Sequence, residues 1–187
     1  MKESLSWQPQ RKKSIFSTRV FDIHEIISKA PNETEGTYYA LHASDWVIVV
    51  PVLESEVGER DFLMVRQWRH GAEAESVEFP GGVIDRGETP AEAAARELRE
   101  ETGHTAGKLE RVAAISPNPA IMDNTCHIFI AENLVRTHET DLDEDEFLTA
   151  QPMSAAAVFQ GMGRPPFIHG LMAAALFAYV QKKGLPV

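Results

Sequence analysis

The segment from Thr89 to Gly103 constrains this chain more than any other. Thr89-Pro90-Ala91-Glu92 reads as a helix start: Thr89 caps the first turn, Pro90 takes the first helical position, where its missing N–H costs nothing, and Glu92 closes a capping box. Gly103 supplies the stop. The spacing predicts a buried face of Ala91, Ala94, Ala95, Leu98 and Thr102. Glu97, Glu100 and Glu101 then stand at i, i+3 and i+4, so three carboxylates rise from one side. Like charges at i, i+4 cost an isolated helix about 0.2–0.5 kcal/mol per pair, partly offset by Arg96, four residues from both Glu92 and Glu100. A charged helix face is ordinarily just solvated. The flanks argue for more. Gly81-Gly82 permits close backbone approach, and Glu88 adds a fourth carboxylate. Hard divalent cations take oxygen ligands of this kind and leave their other positions to water and phosphate.

Around that helix the chain alternates extended and helical patterns. Ile15–Ile23 and Thr37–His42 read as two strands flanking the turn-rich Pro31-Asn32-Glu33-Thr34-Glu35-Gly36, after a polar, flexible arm over residues 1–13. Trp46–Leu53 is a continuous β-branched run, the mark of a strand covered on both faces, and Phe62–Gln67 is its partner across a polar loop. Leu109–Ile115 and Cys126–Ala131 are further strands, and helices over 154–160 and 168–182 close the chain. Mixed strands with helices between and after them define an α/β or α+β fold. The organisation expected is an arm and strand pair over 1–43 and a larger domain over 44–187.

Composition narrows the function. The chain has 187 residues, 43% hydrophobic and 25% charged, enough apolar material for one soluble domain with a small appendage. A formal charge of −10 disfavours nucleic acid and anionic membranes as partners. The longest apolar stretch, residues 170–180, falls short of the ~20 residues that cross a bilayer. Arg11, Lys12 and Lys13 are not followed by the apolar run of a signal peptide, and the single Cys126 forms no internal disulfide. The expectation is a cytoplasmic protein.

Gly82, Glu88 and Arg96-Glu97-Leu98-Arg99-Glu100-Glu101-Thr102-Gly103 together match the Nudix box, and the chain is identified as a member of that family. The one departure is His104, where the pattern carries an aliphatic residue that packs behind the helix. The resemblance implies an α/β/α sandwich with mixed sheets, plus the N-terminal β subdomain, and a loop–helix–loop holding Mg²⁺ or Mn²⁺. It assigns the metal to Glu97, Glu100, Glu101 and the carbonyl of Gly81, with Arg96 and Glu88 in support. The family hydrolyses a diphosphate linked to another moiety, in which bound metal neutralises phosphate oxygens and acidifies a water.

Beyond the box, residues 14–182 resemble ADP-ribose and nucleoside-diphosphate-sugar pyrophosphatases. The likeness is carried by Gln67-Trp68-Arg69, by the entry Glu78-Phe79-Pro80-Gly81-Gly82, and by Pro119, sixteen residues past Gly103. It implies that Arg66 and Arg69 meet the substrate, although their spacing along a strand places them imperfectly on one face. Residues 138–146 hold six carboxylates. The resemblance implies that one acts as the base, with Glu144 favoured by spacing and Glu146 second. It further implies a homodimer built through the N-terminal strands. Hydrolysis of a dinucleoside polyphosphate or oxidised nucleotide is the alternative activity, and a non-catalytic nucleotide-sugar-binding protein the alternative class. His24, His42, His70, His127, His138 and His169 show no metal spacing and are read as surface or core residues.

Overall fold

The first strand is one that the sequence conceals. Residues Gln8–Ser17 form β1, every residue of it exposed, so it carries no apolar alternation to betray it. Strands β2 (Asp22–Lys29) and β3 (Glu35–His42) complete an antiparallel three-stranded sheet. The expected single stretch Ile15–Ile23 is broken by a turn in which the Thr18 hydroxyl accepts the N–H groups of Val20 and Phe21. The strand pair is therefore a triplet, and the arm is strand from Gln8 onward. The loop Ser116–Thr125 belongs to the same compact unit as residues Met1–Asp45. Pro119 follows Asn118 in a turn whose carbonyl accepts from the N–H groups of Ile121 and Met122. The structure, a computed structural model, describes residues 4–54, 60–142 and 146–185.

The second unit spans Trp46–Ile115 and Cys126–Val187. Its elements are β4 (Trp46–Glu54), β5 (Arg60–Arg69), β6 (Ala74–Glu78), α1 (Pro90–Thr102), β7 (His104–Ile115), β8 (Cys126–Arg136), β9 (Leu148–Ser154), α2 (Ala155–Gly161) and α3 (Gly170–Lys183). The strands run in the order β6-β5-β4-β8-β7, with β9 on the other edge of β5. Among the described strands of this unit, β4 and β8 pair in parallel and the other ladders are antiparallel. Pro51 lies where β4 changes partners: its ladder with β8 ends there and that with β5 begins at Val52. A proline lacks the N–H that a continuous ladder needs, and here none is required of it.

Strand β4 is buried on both faces, as its β-branched run predicts. Val47 and Val49 face α1, together with Phe129 and Ala131 of β8, and meet Ala93, Ala94 and Leu98. Ile48, Val50 and Val52 face the other way, into a core of Phe62, Met64, Met172, Leu176 and Tyr179 beneath α2 and α3. The result is an α/β/α sandwich. Helix α1 starts and stops as its capping signals require, with the Thr89–Glu92 box formed and Gly103 left-handed. Its buried stripe is rotated from the expected one, because Ala91 and Ala95 are exposed while Ala93, Glu97 and Glu101 are buried. That rotation takes two of the carboxylates out of water.

Candidate active site

Two strand-like hydrogen bonds pin the turn before α1 against β4. Val47 N–H donates to the Gly82 carbonyl and Val49 N–H to that of Pro80, both at 2.9 Å. The backbone of Gly81 lies so close to the Val47 carbonyl that no Cβ fits, and a Cβ at Gly82 would collide with the Glu97 carboxylate. Glycine is thus required by backbone contact at Gly81, while at Gly82 it leaves the Glu97 carboxylate its place, and the turn lies against the acids of α1. Gly81 N–H donates to Glu101 Oε2 at 2.9 Å.

Arg96 organises the remaining carboxylates. Its guanidinium donates to both oxygens of Glu88 (2.9 and 3.0 Å), to Glu97 Oε1 (2.8 Å), to Glu100 Oε2 (3.1 Å) and to the Val83 carbonyl (3.0 Å). Only a planar five-donor fork can span that set. Among the described residues, Glu97 Oε2 and Glu101 Oε1 accept no hydrogen bond, so each acid keeps an oxygen unspent. Burial pushes the Glu97 carboxyl up to about 7 against the pull of Arg96, with Glu100 and Glu146 adding like charge. Burial likewise lifts Glu101 well above the usual carboxylate range, and the charge of Glu97 adds to it. Glu97 and Glu101 are thus buried acids that each keep a free oxygen, while Glu100 spends both of its oxygens on Arg96 and Arg99. Carboxylate oxygens of this kind suit a hard divalent cation, which Glu97 and Glu101 could hold through their free oxygens and Glu100 by releasing an arginine.

The acidic loop is hung from the end of this helix. Thr137 and His138 N–H both donate to the Gly103 carbonyl, and Asp141 N–H donates to that of Glu100. Glu144 lies outside the described residues. Glu146 is described, and its charge acts on Glu97, Glu101 and Arg69.

The two arginines of β5 part company. Arg69 makes a bidentate pair with Glu78 at 2.9 and 2.6 Å, and that carboxylate is buried. Burial opposes the Glu78 charge, yet hydrogen bonds from Arg69 and His169 prevail and hold its carboxyl far below the usual range. Arg66, three residues earlier, points to the opposite face and pairs with exposed Glu75 at 2.9 Å. Residues Trp46, Arg69, Ser76, Glu78, His169 and Leu171 line a cavity of about 600 Å³, and Gly81 and Gly82 form part of its wall. The turn that lies against the carboxylates is therefore also a wall of a ligand-sized space. His169, expected as an ordinary surface or core residue, is a member of this site through its 2.9 Å bond to Glu78. No local signal marks it, since its partner is 91 residues away. His104, the departure within the box, turns its ring onto the Thr102 carbonyl at 2.8 Å, so the polar ring is satisfied where an aliphatic one would pack.

Comparison with known proteins agrees with this geometry. The NUDIX domain model matches residues 45–170. ADP-ribose pyrophosphatase of Bacillus subtilis is 36% identical over 147 residues, covering 78% of this chain and 77% of that protein. The methanol dehydrogenase activator of Bacillus methanolicus is 31% identical over 135 residues, 72% of this chain and 71% of that one. A solved structure described as an ADP compounds hydrolase superposes with a TM-score of 0.83 at 24% identity, covering 98% of this chain and 99% of its own, and so shares the fold. The chain belongs to the NUDIX domain family. It is a Nudix hydrolase, an enzyme class that works with a divalent metal ion.

Proposed function

We propose that the enzyme hydrolyses the diphosphate of ADP-ribose or a related nucleoside-diphosphate sugar, with Mg²⁺ (Mn²⁺ also serving), to give a nucleoside monophosphate and a sugar phosphate. One observation carries the reading. The buried acids of α1 and the Arg69-lined cavity share the Gly81-Gly82 turn, so a diphosphate at that turn meets both the acids and the cavity. The bacterial relative named ADP-ribose pyrophosphatase supports the choice of substrate. When bound, the cation supplies charge neutralisation at the diphosphate and acidity to a water.

The chain's own groups do the rest. Arg96 holds Glu97 in place through one oxygen and leaves the other free for the cation, while Glu100, held by Arg96 and by Arg99, would exchange an arginine contact for it. Arg69, fixed by Glu78 and still partly exposed, offers its remaining N–H groups to a phosphate. The apolar wall of Trp46, Ile168 and Leu171 takes the nucleoside and excludes water from it. A carboxylate of the acidic loop accepts the proton of the attacking water as its oxygen bonds to phosphorus. One P–O bond of the bridge breaks, and the bridging oxygen leaves with the other phosphate. Glu144, favoured by spacing, and Glu146, whose charge reaches Glu97 and Glu101, are the candidates. Pro119 and Arg66 enter this reading only as features shared with the subgroup.

The functional form we propose is a cytoplasmic homodimer joined through the N-terminal sheet. That sheet exposes Ile15, Phe16, Tyr38 and Tyr39, more apolar surface than a lone three-stranded sheet keeps without a partner. Light scattering after size exclusion returns twice the chain mass on this reading, and a 20.8 kDa species removes the dimer. The activity is tested with a panel of ADP-ribose, ADP-glucose, GDP-mannose and a dinucleoside polyphosphate, each with Mg²⁺ and Mn²⁺ and with products separated by chromatography. ADP-ribose or another sugar nucleotide turned over fastest supports the assignment. Preferred cleavage of the dinucleoside polyphosphate overturns it.

A further inference from the structure

We propose that His24, His42 and Asp123 form a second cation site, in the N-terminal unit, suited to Zn²⁺ or a similar borderline divalent ion. In the antiparallel register of β2 and β3, His24 faces Ala40 while Asp22 faces His42. The two imidazoles are therefore diagonal neighbours on one face of the sheet. Their rings stack, with centroids 5.2 Å apart and planes inclined by 19°.

Backbone hydrogen bonds bring the third donor to them. Leu41 N–H donates to the Ile121 carbonyl at 2.7 Å and Asp123 N–H to the Leu41 carbonyl at 3.2 Å, so Asp123 is fastened beside His42 rather than left on a free loop. Its two carboxylate oxygens lie 3.1 and 2.9 Å from His42 Nδ1. One donor atom from each of the three residues lies within 4.8 Å of the other two. Independently, His24 Nδ1 is buried and has no hydrogen-bond partner, a ring nitrogen whose bonding capacity the fold leaves unspent.

The donor chemistry selects the ion. Two imidazoles and one carboxylate suit Zn²⁺, whereas Mg²⁺ and Ca²⁺ prefer all-oxygen sets such as the acids of α1. Tetrahedral zinc with bonds near 2.0–2.2 Å holds its donors about 3.4 Å apart. His42 and Asp123 are already within that separation, so His24 has to close by no more than about 1.4 Å. Water completes the shell. Lys12 Nζ, 3.3 Å from Asp123 Oδ2, is the competing cation, held only by an exposed ion pair on a flexible stem. An ion here clamps the 116–125 loop to the end of the sheet.

The test uses the full chain, stripped of metal and dialysed against buffered Zn²⁺, with zinc counted per chain and side-chain ¹⁵N–¹H histidine spectra recorded. His42→Ala is expected to carry one zinc fewer than its parent, both in the native sequence and in a Glu97→Gln/Glu101→Gln background that disables the acids of α1. Mg²⁺-supported hydrolysis by His42→Ala stays at the parent level, and the rings of His24 and His42 shift on adding zinc. Equal zinc counts for His42→Ala and its parent overturn the site. Should that variant fail to fold, His24 and His42 rings that do not move in the zinc-treated native protein overturn it as well.

Discussion

Helix α1 and the loop over 138–146 are both crowded with carboxylates in sequence, yet the helix acids and the loop's Glu139 sit in opposite surroundings. On α1, Glu97 and Glu101 are buried, Glu97 and Glu100 are bridged by Arg96, and Glu101 is bonded to the Gly81 backbone. In the loop, Glu139 is almost wholly exposed and pairs with Arg136, itself exposed. Density of negative charge is therefore not what makes a site. What matters is whether the fold withholds water from the acids and leaves some of their oxygens without a donor, because then a cation gains substantially by arriving.

The sharpest way to break this contrast is Glu101→Gln. A glutamine can still accept the Gly81 N–H, so the fold survives, while an anionic ligand is lost. We expect turnover to fall by roughly 10³–10⁴-fold, corresponding to several kcal/mol of lost charge stabilisation. The metal-free variant should melt no lower than its parent, since a neutral amide replaces an acid whose charged form the fold disfavours. Full activity would erase the distinction between helix and loop.

Next in size comes the loop's proposed contribution. Replacing the base by glutamine should slow turnover by about 10²–10³-fold and leave metal affinity nearly unchanged, as read by calorimetric titration. Comparing Glu146→Gln with Glu144→Gln assigns the role. A loss of metal binding in the active variant would move that residue into the helix's class of acids.

The pH dependence of stability separates the two regions without any substrate. The folded, metal-free protein holds the Glu97 proton up to about 7, against an ordinary 4.5, and Glu101 shifts in the same direction. Their contribution to stability is complete below about 4.5 and is lost as pH rises through 7, on the order of 3 kcal/mol for Glu97. Glu78, held down instead, loses its contribution only on acidification below the ordinary carboxylate range. Melting temperature without metal should drop by about 5–10 °C between pH 5 and pH 8, and saturating Mg²⁺ should flatten that slope. A flat metal-free profile would mean that the helix acids are as well solvated as those of the loop. The smallest effect is expected of Glu139→Gln, within about 0.5 kcal/mol in stability and with unchanged turnover.

How much of this could be read beforehand followed from how local each signal was. The caps of α1, the spacing of its acids and the two-sided burial of β4 are short-range patterns, and all are visible in the chain. The rotation of the α1 stripe was not, because alanine reads equally well as core or surface and the competing buried residues were glutamates. Strand β1 lacks any buried face, and β6 is only five residues long, so neither shows a period. Contacts such as Glu78 with His169 or His42 with Asp123 join residues 91 and 81 positions apart. Local sequence carries no trace of them.

The Gly81-Gly82 turn has an evolutionary corollary. Gly81 is barred from carrying even a methyl group by the Val47 backbone, and one at Gly82 would displace the Glu97 carboxylate, so the segment that fixes the acids can scarcely vary without disturbing them. Trp46, Ile168 and Leu171, which line the same cavity, carry side chains that can be exchanged. Descendants of this chain can exchange the guests they admit while inheriting the hydrolytic apparatus intact.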